Sequence, residues 1–408
     1  MDTNPTETLD AVLTAMLQSH EGVSDLLFVA GKPPQVEAHG KLQPVTLEPA
    51  GPLDNTRIEA LARAIMNGNP RLAQDLATTG SCDCSYTLPG VCRLRVNIYR
   101  QNGNHAMVLR RLQSKIPSLE QLNMAPVFRE IIKEKTGVIF VTGGTGSGKT
   151  TTLAALLNEV NQTNHVHVVT LEDPIEFMHP HANATFSQRE LGRDFFTFPD
   201  GLRAALRQAP KIILVGEIRD RATMEIALTA AETGHVVYST LHTISASQTI
   251  NRVLGMFSQE EEKQVRERLA QTLRYVVSQR LAPKVGGGRV LITELMGSNM
   301  RSREAIALGE SDNRRLVDII EAGSTSGWHS FEQSLAKAYE QNLITEETAL
   351  LYCNNRNLMR QRVDLINKQL KAAAEPTTLK MKAAAPPPMP ASPPPMAPPP
   401  PLEPPAKP

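Results

Sequence analysis

Eight consecutive residues, Gly143-Gly144-Thr145-Gly146-Ser147-Gly148-Lys149-Thr150, follow the pattern G-x-x-x-x-G-K-[ST]. Glycines at these positions let a loop wrap so that backbone N–H groups point at phosphate oxygens, and a helix N-terminus behind the loop favours negative charge. Lys149 supplies a point charge for β- and γ-phosphates, and the Thr150 hydroxyl suits a Mg²⁺ ligand. Thr151 follows at the helix start and belongs to the same phosphate-binding set. Hydrolysis of a γ-phosphate also needs a metal partner and a group that positions or deprotonates water. Two acidic elements offer these: Glu172 in Thr170-Leu171-Glu172-Asp173-Pro174-Ile175-Glu176, and Glu217 in Ile212-Ile213-Leu214-Val215-Gly216-Glu217-Ile218-Arg219-Asp220. Two histidines, His235 and His242, bracket a further apolar run, and a histidine at the carboxyl end of a strand could donate to a phosphate oxygen.

Elements must bring these residues together. The runs Val138–Thr142, Val166–Leu171, Ile212–Val215 and Val236–Thr240 read as strands, each followed by a charged or glycine-containing turn and then helical sequence. That alternation predicts an α/β domain over 127–294, a parallel sheet covered by helices, with ligands at the carboxyl ends of the strands. Upstream, residues 1–112 read as a small α+β domain. Leu26–Val29 is a strand, and Val36 to Val45 is extended around a turn at His39-Gly40. Ile58, Leu61, Ala62 and Ile65 recur at helical spacing. Cys82–Leu88, Cys92–Tyr99 and His105–Leu112, separated by turn residues, form an antiparallel meander. Residues 113–126 read as a hinge-like linker and 295–371 as a mostly helical region. The stretch 372–408, in which the chain becomes mostly Ala, Pro and Met after Glu375, reads as a disordered, solvated tail.

Composition narrows the classes. A formal charge of +1 over 408 residues carries no field toward nucleic acid or an acidic membrane. Nor is there a basic patch interleaved with aromatics, so no nucleic-acid partner is expected. The polar, acidic start lacks the basic and apolar regions of a signal peptide, and no apolar run reaches bilayer length. Cytoplasm is the expected compartment, where four cysteines fit reduced thiols. Cys82, Cys84 and Cys92 could cluster on the hairpin and hold zinc, but no fourth ligand stands at standard spacing.

Taken together, the phosphate loop, Leu-Glu-Asp-Pro-Ile-Glu-Phe, Ile-Leu-Val-Gly-Glu-Ile-Arg-Asp and Ala-Glu-Thr-Gly-His…Thr-Leu-His-Thr resemble the Walker A, Asp box, Walker B and His box of secretion ATPases. These are the hexameric motors of type II secretion and type IV pili. The resemblance runs from about Val23 to Cys353. It implies a RecA-like ATPase domain preceded by a PAS-like one, with ATP and Mg²⁺ as ligands. It also implies that Glu172 activates water, that Glu217 holds Mg²⁺ with Thr150, and that His235 and His242 sense phosphate. Arg93-Leu94-Arg95-Val96-Asn97 and Arg110 fall where the family carries N-domain arginines, so Arg95 and Arg110 would be fingers acting between domains or subunits. Gly144 stands where proline is common, and Ala209-Pro210-Lys211 where an acidic Asp-Pro-Asp is usual.

Extension and type II secretion members carry an additional N-terminal domain and a tetracysteine zinc insertion. This chain has about twenty residues before its first domain and no cysteine between His242 and Glu294. It therefore resembles the retraction branch, the PilT-type ATPases, as does Ser24 to Pro34, although Leu27 sits where histidine is common. Met300 to Gly309 is only partly like the helix that retraction members require, which leaves an accessory paralogue open. The implied partners are further copies in a homo-hexamer and an inner-membrane pilus platform protein. Association with the inner face of the cytoplasmic membrane would run only through that partner.

Overall fold

The computed structural model describes residues 5–47, 51–113, 115–374 and 397. The chain divides into two units, Met1–Val363 and Asp364–Pro408. The proline-rich tail expected over 372–408 lies outside the described residues beyond Ala374, save Ala397.

The first unit opens with helix α1 (Pro5–Gln18), followed by β1 (Val23–Val29), β2 (Gln35–Ala38) and β3 (Lys41–Pro44). Helices α2 (Asn55–Met66) and α3 (Pro70–Thr78) lead to β4 (Ser81–Leu88), β5 (Cys92–Gln101) and β6 (Asn104–Arg111). These strands make one antiparallel sheet in the order β3-β2-β1-β6-β5-β4. Alternation decides its faces. Leu94, Val96 and Ile98 of β5 are fully buried against Leu9, Leu13 and Met16 of α1 and Ile58 of α2, in one core. Arg93, Arg95 and Asn97 therefore point to the opposite face. Helix α2 starts where the Asp54 side chain accepts from the Arg57 N–H, a cap that satisfies one of its free donors.

The expected linker is not free. Leu119 is buried in the core of the following domain, and Leu122, Met124 and Ala125 pack against it. A short helix α4 (Phe128–Ile131) precedes β7 (Gly137–Thr142), α5 (Lys149–Thr163), β8 (His167–Glu172) and β9 (Thr185–Glu190). Then follow α6 (Phe198–Ala205), β10 (Ile212–Val215), α7 (Arg221–Glu232), β11 (Val236–Leu241), α8 (Ala246–Leu254) and α9 (Glu262–Thr272). A hairpin of β12 (Leu273–Pro283) and β13 (Arg289–Gly297) closes the sheet, whose order is β13-β12-β7-β11-β10-β8-β9. All neighbours are parallel except β12 and β13. Every residue of β7, β10 and β11 is buried, as central strands covered on both faces must be. Their carboxyl ends line up, because Ile212 registers with both Val168 and Val236.

Helices α10 (Met300–Leu308), α11 (Leu316–Ala322), α12 (Phe331–Glu340), α13 (Glu346–Tyr352) and α14 (Arg356–Ala374) make up the expected helical region. No helix among the described residues is long and apolar enough to cross a membrane. Among the described residues no group of three His, Cys, Asp or Glu side chains could hold a metal. Cys84 and Cys92 pair with different partners, Val96 and Leu88, and burial pushes the Cys82 thiol up to about 11 and that of Cys84 to about 12.

Candidate active site

The loop between β7 and α5 wraps as its glycines allow. Gly143 has φ +147, and a Cβ there would lie 2.4 Å from Ser147 Oγ and 2.6 Å from the Gln279 carbonyl oxygen. Gly148 enters α5 at φ +89 and offers no side-chain cap, which leaves the first N–H groups of the helix to a ligand in the loop. Lys149 Nζ donates to the carbonyls of Gly143 (2.9 Å) and Gly144 (3.0 Å), so the ammonium sits across the mouth of the cradle. Burial lowers its pKa, against the pull of Glu217 and Glu176. Thr145, Gly146, Lys149 and Thr150 line a cavity of about 320 Å³.

The parallel strands bring the acidic elements to the same cavity. Glu172, the last residue of β8, is buried and lines it, as do Asp173 and Glu176. Its Oε1 accepts from Thr170 Oγ1 at 2.7 Å and from Gln188 Nε2 at 3.3 Å. Burial is the largest influence and pushes the Glu172 carboxyl up to about 7, although both hydrogen bonds favour the ionised form. A carboxylate poised there can take a proton near neutrality.

Glu217 stands two residues beyond β10. The Gly216 N–H donates to the Leu171 carbonyl (2.8 Å) and Thr240 Oγ1 to the Gly216 carbonyl (2.7 Å), pinning this segment between the neighbouring strands. Arg219 Nη2 donates to Glu217 Oε2 (2.7 Å), and His242 Nε2 lies 3.4 Å from Oε1. Burial alone would raise the Glu217 pKa, but Arg219, His242 and Lys149 outweigh it and hold the group below the usual carboxylate range. Two neighbouring carboxylates thus sit in opposite states, Glu172 near its midpoint and Glu217 fully charged. That is the division needed between a base and a metal ligand.

Fit to Mg²⁺ follows from the donor set. Among the described residues no three-ligand protein cluster exists, whereas Thr150 and the ionised Glu217 line one cavity beside the cradle. Mg²⁺ is usually held by one or two protein oxygens together with substrate phosphates, so the residues fit. A larger cavity of about 410 Å³ lies among Glu294, Arg315, Asp318 and Glu332. It has no phosphate loop, and its acidic lining repels an anion.

Arg95 lines the phosphate-loop cavity of its own chain, and with Arg219 opposes the rise that burial imposes on Asp173. Arg110 is not brought to the cavity of its own chain: its Nε donates to Asp25 on β1 at 2.7 Å and its side chain stays 68% exposed. His235 precedes β11, at the amino edge of the sheet, and its Nδ1 lies 3.0 Å from the Ala230 carbonyl at the end of α7. A strand of six residues spans roughly 20 Å, which puts His235 far from the edge where His242 lines the cavity. Gln188 is a residue that sequence reading missed, since β9 carries little apolar signal.

The model of the type II/IV secretion system protein family matches residues 84–371. The chain is 40% identical over 341 residues to the type IV pilus retraction ATPase PilT of Pseudomonas aeruginosa, covering 84% of this chain and 97% of that protein. It is 35% identical over 350 residues to the type IV pilus ATPase PilU of the same organism, covering 86% of this chain and 90% of that protein. A crystal structure of the pilus retraction motor PilT with bound ADP superposes with a TM-score of 0.77 at 38% identity, covering 86% of this chain and 98% of that one.

Proposed function

The chain belongs to the type II/IV secretion system protein family, and from that premise we propose that it is a Mg²⁺-dependent ATPase motor that drives type IV pilus retraction. It works as a homo-hexameric ring in the cytoplasm, at the inner membrane face, against a pilus platform protein. Its PAS-like N-terminal domain moves with the nucleotide state. The observation that carries this reading is the convergence of the cradle, Glu172, Glu217 and Arg95 on one cavity.

Each residue has a task in phosphoryl transfer. Loop N–H groups and Lys149 bind and orient the triphosphate. Glu172, ionised, accepts the proton of the attacking water, and the buried surroundings keep its basicity high. Thr150 and Glu217 would hold Mg²⁺, which when bound neutralises charge on the phosphates. Arg219 and His242 keep Glu217 charged and oriented, and Arg95 adds positive charge where the γ-phosphate develops negative charge. The P. aeruginosa relatives named for pilus retraction and for a pilus ATPase span nearly their full length here, which supports a pilus motor. A second reading, an accessory retraction ATPase, is favoured by the similarity to PilU and by the partial match of α10 to the retraction helix.

Phosphate release from ATP by the purified protein, abolished in Lys149→Ala together with nucleotide binding, is the expected biochemical result. Binding without turnover in the parent protein would identify a nucleotide-gated regulatory module instead. Deletion of the gene, with pili counted and twitching scored, then assigns the direction of work. A retraction motor leaves pili present and motility lost. An extension or secretion motor leaves no pili, and an accessory paralogue leaves both nearly intact.

A further inference from the structure

Strand β9 lies at the edge of the parallel sheet beside β8, with Gln188 registered to Thr170 and Glu190 to Glu172. Being two apart, Gln188 and Glu190 point to the same face. Both reach over the segment that leaves Glu172. Gln188 Nε2 donates to Glu172 Oε1 (3.3 Å) and to the Phe177 carbonyl (2.8 Å), while its Oε1 accepts from the His179 N–H (2.8 Å). Glu190 Oε2 accepts from the Ile175 N–H at 3.1 Å. Two side chains of one strand therefore fix residues 173–179 at three backbone points, and one of them also touches the proposed base.

Glu190 has a second set of partners, on the N-terminal sheet. Its Oε1 accepts from Ser85 Oγ (2.5 Å) and its Oε2 from Arg93 Nη2, which also donates to Ser85 (2.7 Å). The Arg93 and Glu190 side chains are 11% and 7% exposed, so this ion pair is shielded from water. Parting a shielded pair strands both charges and is strongly disfavoured, unlike parting a surface pair. The same carboxylate oxygen thus answers to the N-terminal sheet on one side and to the Glu172 segment on the other.

We propose that β9 is a coupling strand, in which Gln188 is a positioning residue for Glu172 and Glu190 relays the placement of the N-terminal sheet, through Arg93 and Ser85, to the segment that follows Glu172. Docking of that sheet holds Ile175, and with it Glu172, in place for proton transfer. A displaced Arg93 draws Glu190 with it and frees the Ile175 N–H, so turnover depends on N-terminal domain position through contacts separate from the phosphate cradle. The inference rests on the reading of Glu172 as the base.

Steady-state ATPase kinetics across pH on the full-length protein test both. If Glu172→Gln turns over normally, the reading of Glu172 itself fails, whatever β9 does. If that variant is inactive, Gln188→Ala is expected to lower kcat by about 10- to 10²-fold, the cost of a small misplacement, with KM for ATP unchanged. Loss of the Gln188 hydrogen bond also moves the acidic limb of the kcat profile to higher pH, and Gln188→Glu moves it further by adding like charge. Glu176 is the other carboxylate facing Glu172. Lys149, Asp173, Glu217, His242 and Arg95 line the same cavity, and all of these stay constant in the series. Unmoved kcat and limb in both Gln188 variants overturn the positioning role.

For the relay, Arg93→Ala and Glu190→Gln should each lower kcat about 10-fold at unchanged KM, and the double variant should lose no more than either one, because the two act as a unit. Losses that multiply show that Arg93 does not act through Glu190. Should Arg93→Ala fail to fold, Arg93→Lys replaces it in the same cycle, with the same two outcomes.

Discussion

Replacing Glu172 by glutamine should remove activity and raise stability, by an amount that depends on pH. Burial pushes the Glu172 carboxyl from 4.5 up to about 7. In the unfolded chain it would ionise near 4.5, so between those values the folded protein holds a proton that the unfolded chain releases. Stability from this group is therefore complete below about pH 4.5 and is lost as pH rises to about 7. At about 1.4 kcal/mol per pH unit the whole loss is about 3 kcal/mol. Glutamine does not titrate, and it can keep both hydrogen bonds, because Thr170 and Gln188 each donate to Oε1. Urea unfolding of nucleotide-free protein at pH 5 and pH 8, with slopes compared to verify a common unfolding transition, gives the measurement. Glu172→Gln should be less than about 1 kcal/mol more stable than the parent at pH 5 and about 3 kcal/mol more stable at pH 8. An advantage that does not grow with pH would refute the burial argument, and with it the account of how this carboxylate becomes a base.

Arg95→Ala should cost about 10³-fold in kcat, the low end for an arginine finger, and a loss of less than about tenfold would contradict its placement at the γ-phosphate. Gly143→Ala should abolish binding of a fluorescent ATP analogue, because its Cβ would meet Ser147 Oγ at 2.4 Å and the Gln279 carbonyl at 2.6 Å, and unchanged affinity would mean the loop can open without cost.

What the sequence disclosed divides by the range of the interaction involved. The strand Ile212–Val215 was legible to the residue because a central parallel strand is apolar on both faces, and such a run has few other uses. The strand reading itself singles out only His242, because a parallel strand has a ligand edge and a far edge and a histidine before the strand sits at the far one; His235 entered through the family resemblance. Leu9, Leu13 and Met16 of α1 carried a helical period, blurred by the apolar Ala11, Val12, Ala15 and Leu17 around them. The packing around Leu119 was hidden for a like reason, since one leucine is enough to anchor a short segment to the core.

The missed part of the site has a different cause. Thr185-Phe186-Ser187-Gln188-Arg189-Glu190 offers one large apolar residue, so no periodicity marks it as a strand. It is held at the sheet edge by backbone pairing with β8, and its polar side chains are satisfied by Glu172, the backbone of 175–179, and an arginine 97 residues away in sequence. Phosphate chemistry imposes fixed spacings along the chain, because one loop and one strand end must supply adjacent atoms, and fixed spacings can be read. A link between two domains imposes only complementarity in space. Arg93 and Glu190 need each other, yet nothing near either in the chain requires the partner. A protein whose domains meet through shielded charges will therefore show its phosphate site in sequence long before it shows what lies between the domains.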